Sequence, residues 1–111
     1  MTSEFIYHIT TPEDWAKFQN EDYYEAESLK TEGFIHNSTQ DQARAAANRF
    51  FVGKEKIVLI KIEKDKLEAD LRYELAASEN QYFPHIYGRL NKSAIVEIAA
   101  VPCKEDGQFD W

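Results

Sequence analysis

Short apolar stretches alternate with polar ones along this chain, and the spacing of the apolar positions switches between two and about three and a half. Phe5-Ile6-Tyr7-His8-Ile9 is rich in aromatic and β-branched residues and predicts a first strand, with Ile6 and His8 on one side and Phe5, Tyr7 and Ile9 on the other. Thr11-Pro12-Glu13-Asp14 predicts a helix start. It offers a hydroxyl cap, a proline where a missing N–H costs nothing, and acids facing the positive helix end. Trp15 and Phe18, three apart, fall on the buried face of that helix. Residues 20–27, which include Tyr23 and Tyr24, have no clean period and predict a loop. Residues 28–32 predict one helical turn, closed by Gly33.

Gly33-Phe34-Ile35-His36-Asn37-Ser38-Thr39 then reads as a glycine stop, a short strand and a helix start. Strand alternation puts Phe34, His36 and Ser38 in one row and Ile35 on the opposite face. Thr39 and Gln42 have the spacing of a capping box, and Ala43, Ala46, Ala47 and Phe50 repeat at helical intervals until the helix ends near Gly53. Residues 57–62 form the most apolar run, short and β-branched, which predicts a buried central strand. Residues 63–69 predict a turn or short helix, and 71–74 a strand with Leu71 and Tyr73 on one side. The small, polar stretch 75–82 predicts an exposed mobile loop; Phe83-Pro84-His85-Ile86-Tyr87-Gly88 follows, and 94–99 is the last strand. The polar tail 105–111 docks through Phe109 and Trp111. Helices gather in the N-terminal half and strands dominate the rest. The expected class is α+β, with mixed or antiparallel pairing, in a single domain over residues 1–111.

Composition narrows what such a fold can do. A chain of 111 residues buries about two thirds of the surface its unfolded form exposes, which leaves room for one core. Its net charge of -7 gives no general attraction to phosphate backbones, so nonspecific nucleic-acid binding is disfavoured. The acids of residues 13–27 read as a solvated face, while Arg44, Arg49, Lys54 and Lys56 leave room for a local basic cleft. Cys103 is the only cysteine, so no internal disulfide or thiolate metal site is expected. No apolar run approaches a membrane span, and Met1-Thr2-Ser3-Glu4 lacks the pattern of a signal peptide; the expected location is cytoplasmic, away from membranes. No phosphate-loop glycine pattern or nucleophile elbow is present.

The chemistry on offer centres on three histidines, His8, His36 and His85, each in a strand context beside aromatic residues. Taken singly, each fits a half-buried histidine bonded to backbone; only their convergence defines a site. Separations of 28 and 49 residues match no local zinc motif, and no metal is expected. Thr10 and Ser38 each lie two residues beyond a histidine and so project on the same strand face. Side by side, the two strands present two imidazoles and two hydroxyls, a set suited to hydroxyl-rich or phosphorylated ligands. Arg49, His85 and Tyr87 are further candidates for ligand contact, while Phe83 and Tyr87 either stack on a ligand or fill the core. Ser38 and Thr39 are equally helix-entry residues.

Ile6-Tyr7-His8-Ile9-Thr10, the Gly33–Thr39 block, Ala47-Asn48-Arg49-Phe50 and Phe83-Pro84-His85-Ile86-Tyr87-Gly88 together resemble the bacterial family called domain of unknown function 952. More distantly, the order of elements is similar to the ADP-ribosyltransferase fold. That resemblance implies a split β-sheet with a cleft for NAD, bound as a substrate, between its halves. It also implies that His8, assisted by Thr10, holds the ribose and adenosine side, and that His36, with Ser38 beside it, occupies the second motif position. A histidine at both places resembles the RNA 2′-phosphotransferase branch. The chemistry implied is attack on the ribose carbon of NAD as nicotinamide leaves, with no strong base needed if the acceptor is an ionised group such as a phosphate. His85, Tyr87 and Glu97 compete for the third position. The other readings are a noncatalytic binding module that keeps the cleft and a partner-binding domain whose histidines belong to the core.

Overall fold

A computed structural model describes residues 5–111, and Met1–Glu4, read above for a signal sequence, lie outside that range. The elements are β1 (Phe5–Thr10), α1 (Pro12–Ala16), β2 (Tyr23–Tyr24), α2 (Glu27–Thr31), β3 (Ile35–His36), α3 (Gln40–Phe50), β4 (Lys56–Glu63), β5 (Asp70–Ala76), β6 (Gln81–Tyr87), β7 (Leu90–Asn91) and β8 (Ile95–Pro102). Single 3-10 turns at Lys64–Lys66 and Lys92–Ala94 connect β4 to β5 and β7 to β8. The fold is mixed α and β, with few helices and small sheets, and every strand pair among the described residues is antiparallel.

Two three-stranded sheets carry the architecture, in the orders β1-β4-β8 and β3-β6-β5, with β2 and β7 as a separate ribbon. A single bridge joins the large sheets: Tyr7 and Ser38 exchange two backbone N–H···O bonds of 2.7 Å. β4 is central, as its apolar run predicts, and is covered on both faces. Val58, Ile60 and Ile62 meet Ile6, Ile35, Ile86 and Leu90, whereas Ile57 and Leu59 meet Ala47, Val101 and Phe109.

The local signals form as read. Thr11 accepts from the Asp14 N–H at 3.2 Å with Pro12 at the first helical position. Thr39 and Gln42 close a capping box, and Gln42 also donates to the Tyr82 carbonyl at 2.8 Å. Gly33 takes a φ of +91° after α2, a left-handed conformation costly for a residue with a Cβ.

Four expectations need correction. Tyr23 and Tyr24 form a strand, not a loop, because they pair with Asn91 and Leu90. Residues 75–82 are a tight hairpin in which β5 and β6 pair up to Ala76 and Gln81, with Asn80 at a φ of +55° completing the turn. Phe50 closes the helical stripe in sequence but, as the last residue of α3, is 62% exposed, and only Ala43 and Ala47 of that helix are buried. In the tail, Phe109 is buried and exchanges two hydrogen bonds with the Asn48 side chain, whereas Trp111 stays largely exposed.

Candidate functional site

The bridge between Tyr7 and Ser38 puts the histidine-bearing ends of β1 and β3 side by side. There a cleft of about 530 Å³ opens between the two sheets. His8, Thr10, His36, Ser38 and His85 all line it, so the convergence that sequence could only pose as a condition is met. Phe50, Phe51 and Phe83 supply apolar wall, and Asp14, Glu27 and Glu79 supply carboxylates. Arg49 does not line the cleft; its Nε is 2.9 Å from Glu79, which does. Tyr87 also lies outside the lining, its hydroxyl donating to the Glu74 carboxylate that His85 also meets.

Ile6, His8 and Thr10 are the buried residues of β1, as the alternation of that strand requires. His8 is only 4% exposed, and both ring nitrogens are engaged: Nδ1 lies 2.6 Å from the His36 carbonyl oxygen and Nε2 3.0 Å from the Tyr24 hydroxyl. A carbonyl can only accept, so Nδ1 carries the proton and Nε2 accepts. Burial holds the imidazole neutral and lowers its pKa to about 4. The Tyr24 hydroxyl lies 3.1 Å from Thr10 Oγ1, and burial pushes its own pKa up to about 12, so it remains a protonated donor. With Nε2 accepting from Tyr24, the Thr10 hydroxyl donates to Tyr24 in turn.

Tyr24 was not legible as a site residue, since its place depends on pairing with β7 far along the chain. Asn91 anchors that ribbon: its Oδ1 accepts from the Glu68 N–H and its Nδ2 donates to the Lys66 carbonyl. Trp15 and Phe18 complete the seat, each with its ring about 5 Å from that of Tyr24. The adjacent tyrosines in an acidic segment were the only available signal.

His36 differs from His8 in environment. β3 regular pairing ends at His36, and Asn37 and Ser38 beyond it are both buried, so His36 and Ser38 do not continue one exposed row. The His36 ring projects outward, with Nε2 3.0 Å from the Glu32 carboxylate and its plane edge-on to Phe34 and His85. Asn37, 4% exposed, lines the cleft and donates from Nδ2 to the Ile35 carbonyl at 2.8 Å. Its Oδ1 is buried without a partner, the one such side-chain atom among the described residues. An unsatisfied buried acceptor costs free energy, and such atoms concentrate where structure serves function.

His85 pairs with His36 across β3 and β6, and with Arg72 across β5 and β6. Alternation therefore puts His36, His85, Glu74 and Tyr87 on one face of the sheet. His85 Nδ1 is 2.8 Å from Glu74 Oε1, and the Tyr87 hydroxyl donates to that same oxygen. These hydrogen bonds, Tyr87 first and His85 second, hold the Glu74 carboxyl below its ordinary range, and the carboxylate in turn raises the Tyr87 pKa. Phe34 stacks on the His85 ring at 4.1 Å and 16°. No group of three or more metal-ligating side chains gathers among the described residues.

Fold and cleft thus define a small α and β protein with a histidine-lined groove between two antiparallel sheets. The chain belongs to the protein family of unknown function DUF952, whose model matches residues 9–98. It is similar to the crystal structure of CC0527 from Caulobacter crescentus, with 29% identity, a TM-score of 0.85, and coverage of 96% of this chain and 93% of that one. The solution structure of CC0527 gives 30% identity and a TM-score of 0.79 over 94% of this chain and 90% of that one. No curated protein matches the chain.

Proposed function

We propose that the groove between the sheets binds a nucleotide of the NAD type and that the protein is an ADP-ribosyltransferase-like enzyme of the cytoplasm. The observation that carries this reading is the splitting of the sheet at the Tyr7–Ser38 bridge, which brings His8, Thr10, His36 and Ser38 to one cleft. An open junction between sheets, apolar in its walls and holding a few convergent polar groups, is where a small-molecule ligand is held. The cleft lining contains Asp14, Glu27 and Glu79 and no lysine or arginine, so it suits the uncharged ribose and the cationic nicotinamide of NAD. The pyrophosphate is left to the rim, beside Arg49. In this arrangement Ser38, Asn37 and the exposed His36 contact the ligand. His8 and Thr10 hold Tyr24 in place and close the floor.

No helix among the described residues is long and apolar enough to cross a membrane. A noncatalytic binding module is the second reading, favoured by the engagement of both His8 nitrogens, which leaves that imidazole no free position for proton transfer. Titration calorimetry with NAD, ADP-ribose and nicotinamide tests the binding claim. Saturable binding that Ser38→Ala and Asn37→Ala weaken about tenfold is expected, each substitution removing a hydrogen bond worth about 1 kcal/mol or more. No heat from any of the three at millimolar concentration rejects it. Release of nicotinamide by the bound complex separates the enzyme from the module.

A further inference from the structure

Resting on the nucleotide reading above, we propose that His85 is the catalytic base of the cleft, that Glu74 positions it, and that the acceptor it serves is an uncharged hydroxyl-bearing molecule, water being the simplest case. Among the three histidines only His85 is built for the task. His8 has both ring nitrogens engaged, and His36 is half exposed and hydrogen-bonded to a surface carboxylate, an arrangement that orders a ring weakly. His85 lines the cleft, yet its side chain is only 11% exposed. Its Nδ1 faces a carboxylate at 2.8 Å, and a carboxylate only accepts, so the proton sits on Nδ1. Nε2 is then the lone-pair nitrogen, and it has no hydrogen-bond partner among the described residues. Phe34, stacked on one face, and the edge of His36 hold the ring plane. The charged and titratable neighbours are Glu74 and Arg72 on β5, Tyr87 on β6, and the His36–Glu32 pair.

The lining decides the class of acceptor. An ionised acceptor such as phosphate needs no base, but it would have to enter a cleft with three carboxylates and no lysine or arginine in its wall. A neutral hydroxyl enters without that repulsion and does need a base. In the step proposed, the bond between C1′ of the ribose and the nicotinamide nitrogen breaks, and its electron pair leaves with nicotinamide, neutralising the pyridinium. The acceptor oxygen forms its bond to C1′, and its proton passes to His85 Nε2. The resulting imidazolium is held through Nδ1–H by the Glu74 carboxylate. Charge and atoms balance as NAD and a neutral acceptor give the ADP-ribosylated product, nicotinamide and one proton.

The test compares wild type, H85N and E74Q in three measurements: NAD affinity by calorimetry, nicotinamide release with water, glycerol or inorganic phosphate as acceptor, and the imidazole tautomers by nitrogen NMR. The proposal expects a His85 Nδ1–H tautomer in wild type and a mixed one in E74Q. It expects H85N to keep saturable NAD binding while nicotinamide release at saturating NAD falls about 100-fold, the usual scale for a lost general base. Glycerol accelerates release in wild type and phosphate does not. Equal release by H85N, acceleration by phosphate, or a proton on Nε2 of the neutral ring overturns the assignment of the base while leaving NAD binding intact. Absence of NAD binding in wild type overturns the nucleotide reading itself, and this use of His85 falls with it.

Discussion

His8 and His36 are equivalent in sequence, each on a strand two residues before a hydroxyl, and the fold makes them unlike. Replacing His8 by alanine strips the His36 carbonyl and the Tyr24 hydroxyl of buried partners, so His8→Ala is expected to cost about 3 kcal/mol in urea unfolding. His36→Ala removes one exposed contact with the Glu32 carboxylate and is expected to change stability by less than about 0.5 kcal/mol while weakening ligand binding. The His8 imidazole also sets a pH dependence. Its folded pKa of about 4 lies below the ordinary value of 6.5, so between these two the unfolded chain binds the extra proton and stability falls as pH falls. The contribution is complete above pH 6.5 and exhausted below about pH 4. Glu74, also held below its ordinary range, acts in the same direction at the acid end. Unfolding curves from pH 7 to pH 4 should show the His8 loss in wild type and lack it in a folded His8→Gln variant.

At the scale of elements, what could be read from sequence is what neighbours in sequence decide. The Thr11-Pro12 and Thr39–Gln42 caps, the Gly33 stop and the two-sided burial of β4 depend on residues a few positions apart, and all appear as read. Tyr24, Asn37 and Glu74 could not be placed that way. Tyr24 is seated by β7, and Glu74 meets His85 only because the hairpin at residues 77–80 sets the register of β5 and β6. The polar, small-residue composition of 75–82 describes the turn and hides the pairing on either side of it. Gln42 ties both kinds of contact together, bonding the Thr39 N–H at the cap and the Tyr82 carbonyl on β6. Gln42→Ala is expected to cost about 1 kcal/mol in thermal or urea unfolding, with Gln42→Glu keeping the cap and losing the donor to β6. Close packing at the end of β6 is tested by Gly88, where an added Cβ would lie 2.8 Å from the Ala69 Cβ. Gly88→Ala is expected to destabilise by about 1–3 kcal/mol, and adding Ala69→Gly should return part of that loss.

For the molecule as a whole, two sheets meet at one bridge, and the groove left there gathers polar groups from β1, β3 and β6. The mixed α and β class and the central, buried place of β4 followed from the pattern of the chain, whereas the meeting of the three histidines was posed there only as a condition. The electrostatic character of the groove did not, because the basic residues near Arg49 lie close in sequence and turn away from its wall. The proposed binding of the uncharged and cationic end of a nucleotide rests on a groove walled by aromatic residues and carboxylates. The most direct measurement is an NMR titration of the folded protein with NAD, following backbone amides and the three imidazoles, with nicotinamide and inorganic pyrophosphate as separate probes. NAD is expected to give saturable shifts at Asn37, Ser38, His36 and His85, nicotinamide to move the same residues, and pyrophosphate to move none of them. Shifts confined to the Arg49 region, or no shifts at millimolar NAD, would contradict the proposed binding.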